Sequence, residues 1–209
     1  EAVVYSVQRA GGSAWFQEVD VADRESIEAA ATTADALGGV DILVNAAGIN
    51  STTAFTDLTD AEWDNLLNVN LSSMFKAIQA FRSQMADRAR GASIINISST
   101  ASGPPLSRVL GYGVAKAGVN NLTQYLAREL AAERIRVNAV IPGFFPAEQN
   151  LKLLSADRVG VIVGHTPLAR LGEPQELDGA LLWLASPRAS GFVTGALVRV
   201  DGGFSAVTI

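Results

Sequence analysis

The sequence has no cysteine and only one histidine among its 209 residues. Disulfides and thiolate metal sites are therefore excluded, and so is a metal site built from several histidines. The chain also lacks a basic excess, because 16 Lys and Arg stand against 21 Asp and Glu, whereas nucleic-acid binding requires clustered cations. No apolar run approaches the roughly 18 residues of a membrane-spanning helix. We therefore expect a soluble, cytoplasmic protein whose partners are small molecules and further copies of itself.

What the sequence does contain is an alternation of short apolar runs with longer helical patterns. The apolar runs predict strands at residues 14–19, 40–44, 92–97, 135–141 and 195–200. The helical patterns lie at residues 26–37, at 59–85 after a capping box, at 112–133 and at 173–186. Strands that alternate with helices predict an α/β protein with a doubly wound parallel sheet, in a single domain over residues 1–209.

Polar or turn-forming residues follow four of these predicted strands. Asp20, Asn45, Ser99 and the Pro142-Gly143 pair each come directly after an apolar run. Ligands of doubly wound sheets bind beyond the carboxyl ends of the strands. The sequence therefore predicts one ligand cleft to which four strand ends contribute.

Tyr112 and Lys116 stand four residues apart in a helical pattern, so their Cβ atoms are expected roughly 5–6 Å apart on one face. A nearby cation favours a phenolate and lowers the pKa of a phenol from its usual value near 10. Tyr112 is thus the candidate proton carrier for the oxidation of an alcohol. Ser99 can donate a hydrogen bond to the substrate oxygen, where negative charge develops. Since no side chain accepts hydride, this chemistry requires a cofactor.

Asn70 places a primary amide on or beside the apolar stripe of the helical pattern at 59–85. Burying an amide without partners costs roughly 1–3 kcal/mol, so we expect a partner such as a bound water. Taken singly, each candidate has a structural interpretation, as a solvated helix pair, a turn residue or a strand-end cap. Their coincidence at the predicted cleft favours a catalytic set. It consists of Asn70, Ser99, Tyr112 and Lys116.

These motifs resemble those of the short-chain dehydrogenase/reductase family over nearly the whole chain from Gly11 onward. The similar segments are residues 44–48, 68–71, 95–99 and 200–203, the Pro142-Gly143 pair, and Tyr112-x-x-x-Lys116, which lies thirteen residues after Ser99. The resemblance implies a Rossmann-like, three-layer αβα fold and NAD or NADP as the cofactor. It also implies a homotetramer.

The resemblance also implies roles for individual residues. Tyr112 would be the acid/base, Ser99 would hold the substrate oxygen, and Asn70 would hold a water in a proton relay. Lys116 would bind the nicotinamide ribose and lower the pKa of Tyr112. The implied cofactor-binding residues are Asp20, Val21, Asn45, Ala46, Ala47, Gly48, Tyr112, Lys116, Pro142, Gly143 and Phe145.

The family's opening strand, glycine-rich phosphate loop, helix and second strand have no counterpart in this chain. The sequence begins without Met, in what is predicted to be the end of a helix capped at Gly11-Gly12. We therefore hypothesise an N-terminally truncated copy whose sheet lacks its first two strands. The 209-residue chain is expected to bind dinucleotide poorly and to be inactive alone, because the helix N-terminus that cradles pyrophosphate is missing.

Three segments, at residues 142–150, 164–174 and 203–209, resemble the family branch assigned as D-mannonate oxidoreductases, which interconvert D-mannonate and D-fructuronate. Residues 144–172 are predicted to form a lid over the substrate. A sugar acid needs a cation for its carboxylate, and the candidates are Arg108, Lys152 and His165.

Two other functions stay open at this point. A 3-oxoacyl thioester reductase would favour a basic patch for an acidic carrier protein, which this acidic chain does not display. A catalytically dead assembly module is favoured by the missing phosphate loop. The complete set of Asn70, Ser99, Tyr112 and Lys116 disfavours it.

Overall fold

The computed structural model describes residues 2–86, 88–146 and 155–206. Its centre is a parallel four-stranded sheet in the order β1-β2-β3-β4. The strands are β1 (Ile42–Asn45), β2 (Ala92–Ile97), β3 (Ile135–Pro142) and β4 (Leu197–Val200). The central strands β2 and β3 are almost wholly buried, which explains why both are nearly continuous apolar runs.

Eight α-helices surround the sheet in the described part of the chain. They are α1 (Ala2–Arg9), α2 (Arg24–Ala36), α3 (Asp60–Leu67), α4 (Ser73–Met85), α5 (Leu110–Glu129), α6 (Ala156–His165), α7 (Asp178–Ala185) and α8 (Pro187–Ser190). The predicted caps are present: Asp23 accepts hydrogen bonds from the first turn of α2, and Thr59 accepts one from the first turn of α3. None of these helices is both long and apolar enough to cross a membrane.

Helices cover both faces of the sheet, as the sequence predicts. Ile78 and Met85 of α4 pack in one apolar cluster with Ile94 of β2. Leu184 of α7 packs in a second cluster with Ile95, the next residue of β2. Because successive strand residues point to opposite faces, the two clusters lie on opposite sides of the sheet and create a three-layer arrangement.

The strand predicted at residues 14–19 is wrong, because this segment is irregular in the structure. Trp15 and Phe16 are 66% and 72% exposed. A strand forms only by hydrogen bonding to a neighbouring strand, and none pairs with this segment within the described residues. Its apolar character therefore predicts burial that the structure does not provide.

Some helix boundaries also differ from the predicted ones. The helix expected at 112–133 begins two residues earlier, at Leu110, and ends at Glu129. The helix expected at 173–186 consists of a 3₁₀ turn (Pro174–Leu177) followed by α7. Gly11, two residues after the end of α1, has φ +83°, so the helix end predicted there is confirmed.

Candidate active site

Ser99 lies just beyond the carboxyl end of β2, where the chain turns toward α5. Its backbone is extended, and its hydroxyl accepts a hydrogen bond from the N–H of Ala101, at 3.2 Å. The preceding Ser98 donates from its hydroxyl to the carbonyl of Lys116, at 3.2 Å. This bond fastens the end of the strand to the helix that carries Tyr112.

Tyr112 and Lys116 occupy the first two turns of α5, on the shared face that their spacing predicts. The Lys116 Nζ lies 5.6 Å from the centroid of the Tyr112 ring. It donates a hydrogen bond to the carbonyl of Ile97, at 2.8 Å, although the residue is only 3% exposed. A buried ammonium group is thus anchored to the end of β2 beside the phenol.

Burial controls the titration of both side chains. It lowers the pKa of Lys116 from 10.5 to about 8. Burial also raises the pKa of Tyr112 above its ordinary value of 10, while the hydrogen bond with Ser99 acts in the opposite direction. The net effect on the Tyr112 pKa is therefore upward, opposite to the net lowering that the sequence predicts, because desolvation of the phenolate outweighs the hydrogen bond with Ser99. The phenol carries its proton at neutral pH.

Asn70 lies in a π-helical turn (Asn68–Ser72) that interrupts the helix predicted to be continuous over 59–85. Such turns are frequent at functional sites. The side chain is 0% exposed, and its Nδ2 donates to the carbonyls of Ile49 and Leu66, both at 2.9 Å. Its Oδ1 accepts from the N–H of Ile49 at 3.1 Å. Protein groups, rather than the expected water, thus occupy both amide donors, and one Oδ1 lone pair remains.

Gly48 brings the loop after β1 against both Asn70 and Lys116. A Cβ on Gly48 would lie 2.8 Å from Asn70 Oδ1 and 3.7 Å from Lys116 Nζ. Only glycine therefore fits between the loop and the amide without displacement. The next two residues toward β1, Ala46 and Ala47, are exposed.

Asn45, the last residue of β1, is held in a buried polar network that sequence reasoning missed. Its Nδ2 donates to Asn96 Oδ1 at 2.9 Å, and Asn96 Nδ2 donates to Thr123 Oγ1 of α5 at 3.0 Å. Parallel pairing places Asn45 directly beside Asn96. The sequence feature that could have revealed this network is Asn96 itself, a polar residue between Ile95 and Ile97 in an otherwise apolar strand. The network ties β1, β2 and α5 together below the cleft.

Asp20 and Val21 belong to a loop rather than to the end of a strand. The carboxylate of Asp20 accepts from the N–H of Ala22 at 2.9 Å. The carbonyl of Ala22 in turn accepts from Lys76 Nζ at 3.0 Å and from Asn68 Nδ2 at 3.4 Å. This loop is therefore tethered to the π-helical turn that contains Asn70.

The two phenylalanines that follow β3 differ in their access to the cleft, because Phe144 lines both the cleft and a neighbouring cavity whereas Phe145 lines only the neighbouring one among the described cavities. Gly143 and Phe144 line the cleft that contains Ser99 and Tyr112. Phe145 packs against Gly172 and lines a separate cavity, so the structure does not bring it to Tyr112. The predicted lid at 144–172 falls partly outside the described residues, since 147–154 are not described. Within its described part, Arg170 pairs with Glu176.

The cleft is lined by both polar and apolar side chains. The lining residues are Asn50, Thr52, Ser99, Thr100, Ala101, Leu106, Val109, Tyr112, Gly143, Phe144 and Arg158. Glu62 fixes the loop that contributes Asn50 and Thr52, because it accepts hydrogen bonds from the hydroxyls of Ser51 and Thr53. Sequence reasoning missed Asn50, Thr52 and Arg158, whose positions depend on how loops and α6 fold over the sheet.

Arg108 and His165, two of the three cations expected to bind a substrate carboxylate, do not line this cleft. Arg108 lines a neighbouring apolar groove. His165 packs edge-on against Phe204, with ring centroids 4.6 Å apart. Lys152 lies outside the described residues. Among the described residues, no group of three or more His, Asp or Glu side chains could hold a metal ion.

The parallel sheet and the meeting of Ser99, Tyr112 and Lys116 at its carboxyl edge define a Rossmann-like oxidoreductase. A family model described as enoyl-(acyl carrier protein) reductase matches residues 1–205. The chain belongs to this family of short-chain dehydrogenases/reductases.

Several curated relatives are similar over most of the chain. An uncharacterised oxidoreductase of Bacillus subtilis, UxuB, is 38% identical and is matched over 99% of this chain and 82% of its own length. The galactitol 2-dehydrogenase (L-tagatose-forming) of Cereibacter sphaeroides is 41% identical over 89% of this chain and 74% of its own. The 3-oxoacyl-[acyl-carrier-protein] reductase FabG of Vibrio harveyi is 37% identical over 88% of this chain and 75% of its own.

Solved structures share the same fold. The gluconate 5-dehydrogenase of Burkholderia cenocepacia, in complex with NADP and tartrate, has a TM-score of 0.93 and 32% identity, covering 99% of this chain and 81% of its own. A Haemophilus influenzae protein with bound NAD, provisionally assigned as a D-mannonate oxidoreductase, has a TM-score of 0.92 and 34% identity. That match covers 99% of this chain and 82% of the other.

Proposed function

We propose that this protein uses NAD or NADP to interconvert a secondary alcohol and a ketone on a polyhydroxy acid. The observation that carries the proposal is that Ser99 and Tyr112 line one partly polar cleft, while the Nζ of buried Lys116 lies 5.6 Å from the centroid of the Tyr112 ring. D-Mannonate and D-fructuronate are the specific pair that we propose. The provisional assignment of the Haemophilus influenzae structure supports this pair.

Each residue of the set has a distinct proposed role. The Tyr112 hydroxyl donates a proton to the ketone oxygen in reduction and removes one from the alcohol in oxidation. Ser99 donates a hydrogen bond to the same oxygen. The Lys116 cation stabilises the phenolate, and Asn70 holds a relay water through its remaining Oδ1 lone pair.

The residues beside Tyr112 fit a dinucleotide. Gly48 presents bare backbone next to Lys116, and an ammonium group has three donors, of which the Ile97 carbonyl accepts one. The proposed cofactor set also includes Asn45, Gly143 and the loop at Asp20. A bound NAD or NADP supplies the hydride donor or acceptor that no side chain provides.

Replacing Tyr112 by Phe tests the proposed acid/base. Loss of a general acid/base lowers turnover by roughly 10²–10⁴-fold, so Tyr112→Phe is expected to lower kcat by at least about 10²-fold while dinucleotide affinity stays nearly unchanged. The control is Tyr125→Phe, because Tyr125 lies on the same helix and is 64% exposed. Both variants are measured beside the wild-type protein. Substantial kcat in Tyr112→Phe would remove Tyr112 from this role.

A 3-oxoacyl thioester reductase is the second candidate, and one surface feature favours it. An apolar groove lined by Phe55, Pro105 and Leu110 adjoins the cleft and shares Leu106 and Val109 with it. An acyl chain would fit such a lining. Faster turnover of an acetoacetyl thioester than of any sugar acid would favour this function, and turnover of either substrate would exclude a catalytically dead module.

We also propose that the protein forms a homo-oligomer, and specifically a tetramer. Large apolar side chains are exposed on α7 and between α8 and β4, including Leu182 at 70% and Phe192, which is fully exposed. Burying such groups between subunits would remove them from water. Light scattering after size-exclusion chromatography tests this, and a monomer at micromolar concentration would contradict it.

A further inference from the structure

Arg158 projects from α6 into the cleft that holds Ser99 and Tyr112. Its Nη1 donates to Ser107 Oγ and its Nη2 donates to the carbonyl of Ser107, both at 3.0 Å. Two contacts to one residue fix the direction of the planar guanidinium. The side chain is therefore oriented before any ligand arrives.

The positive charge of Arg158 has no carboxylate partner among the described residues. By contrast, Arg170 forms an ion pair with Glu176, and Arg82 forms one with Glu133. Among the described residues that line the cleft, Arg158 is also the only Arg, Lys, Asp or Glu. A guanidinium has five N–H donors, and Ser107 accepts from two of them, which leaves three for a ligand.

The other polar side chains among the described lining residues are amides and hydroxyls. Asn50, Thr52 and Thr100 offer amide and hydroxyl groups that suit the hydroxyls of a substrate. A cleft with one cation and several neutral hydrogen-bonding groups matches a molecule that has one carboxylate and several hydroxyls. Arginine binds carboxylates with two parallel hydrogen bonds, which gives both affinity and orientation.

We propose that Arg158 binds the substrate carboxylate and that Ser107 is the positioning residue that orients its guanidinium. The substrate is then a polyhydroxy carboxylic acid, with its carboxylate on Arg158 and its reacting hydroxyl at Tyr112 and Ser99. This inference rests on the proposed function for its catalytic consequence. The predicted binding of a carboxylate at Arg158 can nevertheless be measured without turnover.

The test compares D-gluconate with its uncharged alditol, D-glucitol, in wild-type protein and in Arg158→Gln. Binding of each compound is measured by calorimetry in the presence of the dinucleotide, and kcat/KM is measured in parallel. A hydrogen bond to a charged group contributes about 1.5–3 kcal/mol, so Arg158→Gln is expected to weaken D-gluconate binding by about 10- to 150-fold. Binding of D-glucitol and of the dinucleotide is expected to stay unchanged.

Two further variants make the test specific. Arg158→Lys keeps the charge but loses the planar fork, so an intermediate affinity for D-gluconate is expected. Arg108→Gln removes a nearby cation that does not line the cleft, and it is expected to bind D-gluconate like the wild type. If Arg108→Gln and Arg158→Gln weakened D-gluconate binding equally, the loss would come from the lower net positive charge rather than from a specific contact, and the proposal would be overturned.

The possible results distinguish the carboxylate site at Arg158 from the proposed oxidoreductase function. Equal loss of D-gluconate and D-glucitol binding in Arg158→Gln would mean that Arg158 only supports the fold of the cleft, and no loss would exclude any contact with the carboxylate. Either result overturns the proposal. If wild-type protein binds D-gluconate through Arg158 but turns over no sugar acid, the proposed function fails while the carboxylate site stands.

Discussion

Gly48→Ala is predicted to destabilise the protein through a single contact. The added Cβ would lie 2.8 Å from Asn70 Oδ1, whereas ordinary contact begins near 3.4 Å. One of the two groups must therefore move by about 0.6 Å, the difference between these distances. A displacement of that size would stretch the bond from the Ile49 N–H to Oδ1 from 3.1 Å to as much as about 3.7 Å, which is too long for a hydrogen bond.

The expected net loss of stability is the difference between two opposing effects. Losing a buried hydrogen bond costs about 1–3 kcal/mol. Replacing glycine by alanine restricts the unfolded chain and stabilises by about 0.4–1 kcal/mol. The midpoints of these ranges give a net loss of about 1.3 kcal/mol in the free energy of unfolding, and the extremes give about 0 to 2.6 kcal/mol, measured by urea denaturation.

A double-mutant cycle identifies the contact responsible. Asn70→Ala removes the oxygen that the new Cβ meets, so Gly48→Ala in that background is expected to be neutral or slightly stabilising. The coupling between the two sites should reach about 1 kcal/mol or more. The matched control is Gly179→Ala in α7, where an added Cβ meets nothing within 4 Å and the greater helix propensity of alanine stabilises by up to about 1 kcal/mol. An equal loss from Gly48→Ala in both backgrounds would refute this reasoning.

The other predictions concern Lys116, Tyr112 and the buried polar network. Folded Lys116 releases its proton near pH 8, whereas the unfolded chain keeps it to pH 10.5. As pH rises through this window, the free energy of unfolding of the wild type should therefore increase by up to about 3 kcal/mol relative to that of Lys116→Met. If the two free energies of unfolding kept a constant difference across this pH range, the burial of the Lys116 charge would be contradicted. Because burial raises the Tyr112 pKa, alcohol oxidation should accelerate as pH rises above neutrality, and a flat pH–rate profile would oppose a Tyr112 base. Thr123→Val leaves Asn96 Nδ2 without its acceptor and should cost about 1–3 kcal/mol. Exposed Thr32→Val should change stability by under about 0.5 kcal/mol, and equal effects of the two threonine variants would be inconsistent with the network.

Elements whose structure depends mainly on their own residues could be predicted from the sequence. Strand β2 has the predicted bounds, 92–97, because its apolar residues are buried on both faces. The Tyr112–Lys116 pair is close because helical periodicity alone brings residues four apart together. The strand predicted at 14–19 failed because pairing depends on a neighbour that local sequence does not encode.

The rest of the candidate site depends on contacts between distant segments. The π-helical turn at Asn70 accompanies hydrogen bonds to Ile49, which lies 21 residues earlier. Arg158 reaches the cleft because α6 packs beside the loop of Ser107, 51 residues away in sequence. Periodicity describes one element at a time, so neither arrangement can be derived from it.

The most direct measurement of the proposed activity is dinucleotide-dependent turnover across a substrate panel. The protein is assayed with NAD and NADP, or their reduced forms, against D-mannonate, D-fructuronate, D-gluconate, the matching alditols and an acetoacetyl thioester. We predict the highest kcat/KM for a sugar acid or its keto form, and its loss in Tyr112→Phe. Failure to bind either dinucleotide, or turnover that persists undiminished in Tyr112→Phe, would contradict the assignment of this cleft as an oxidoreductase active site.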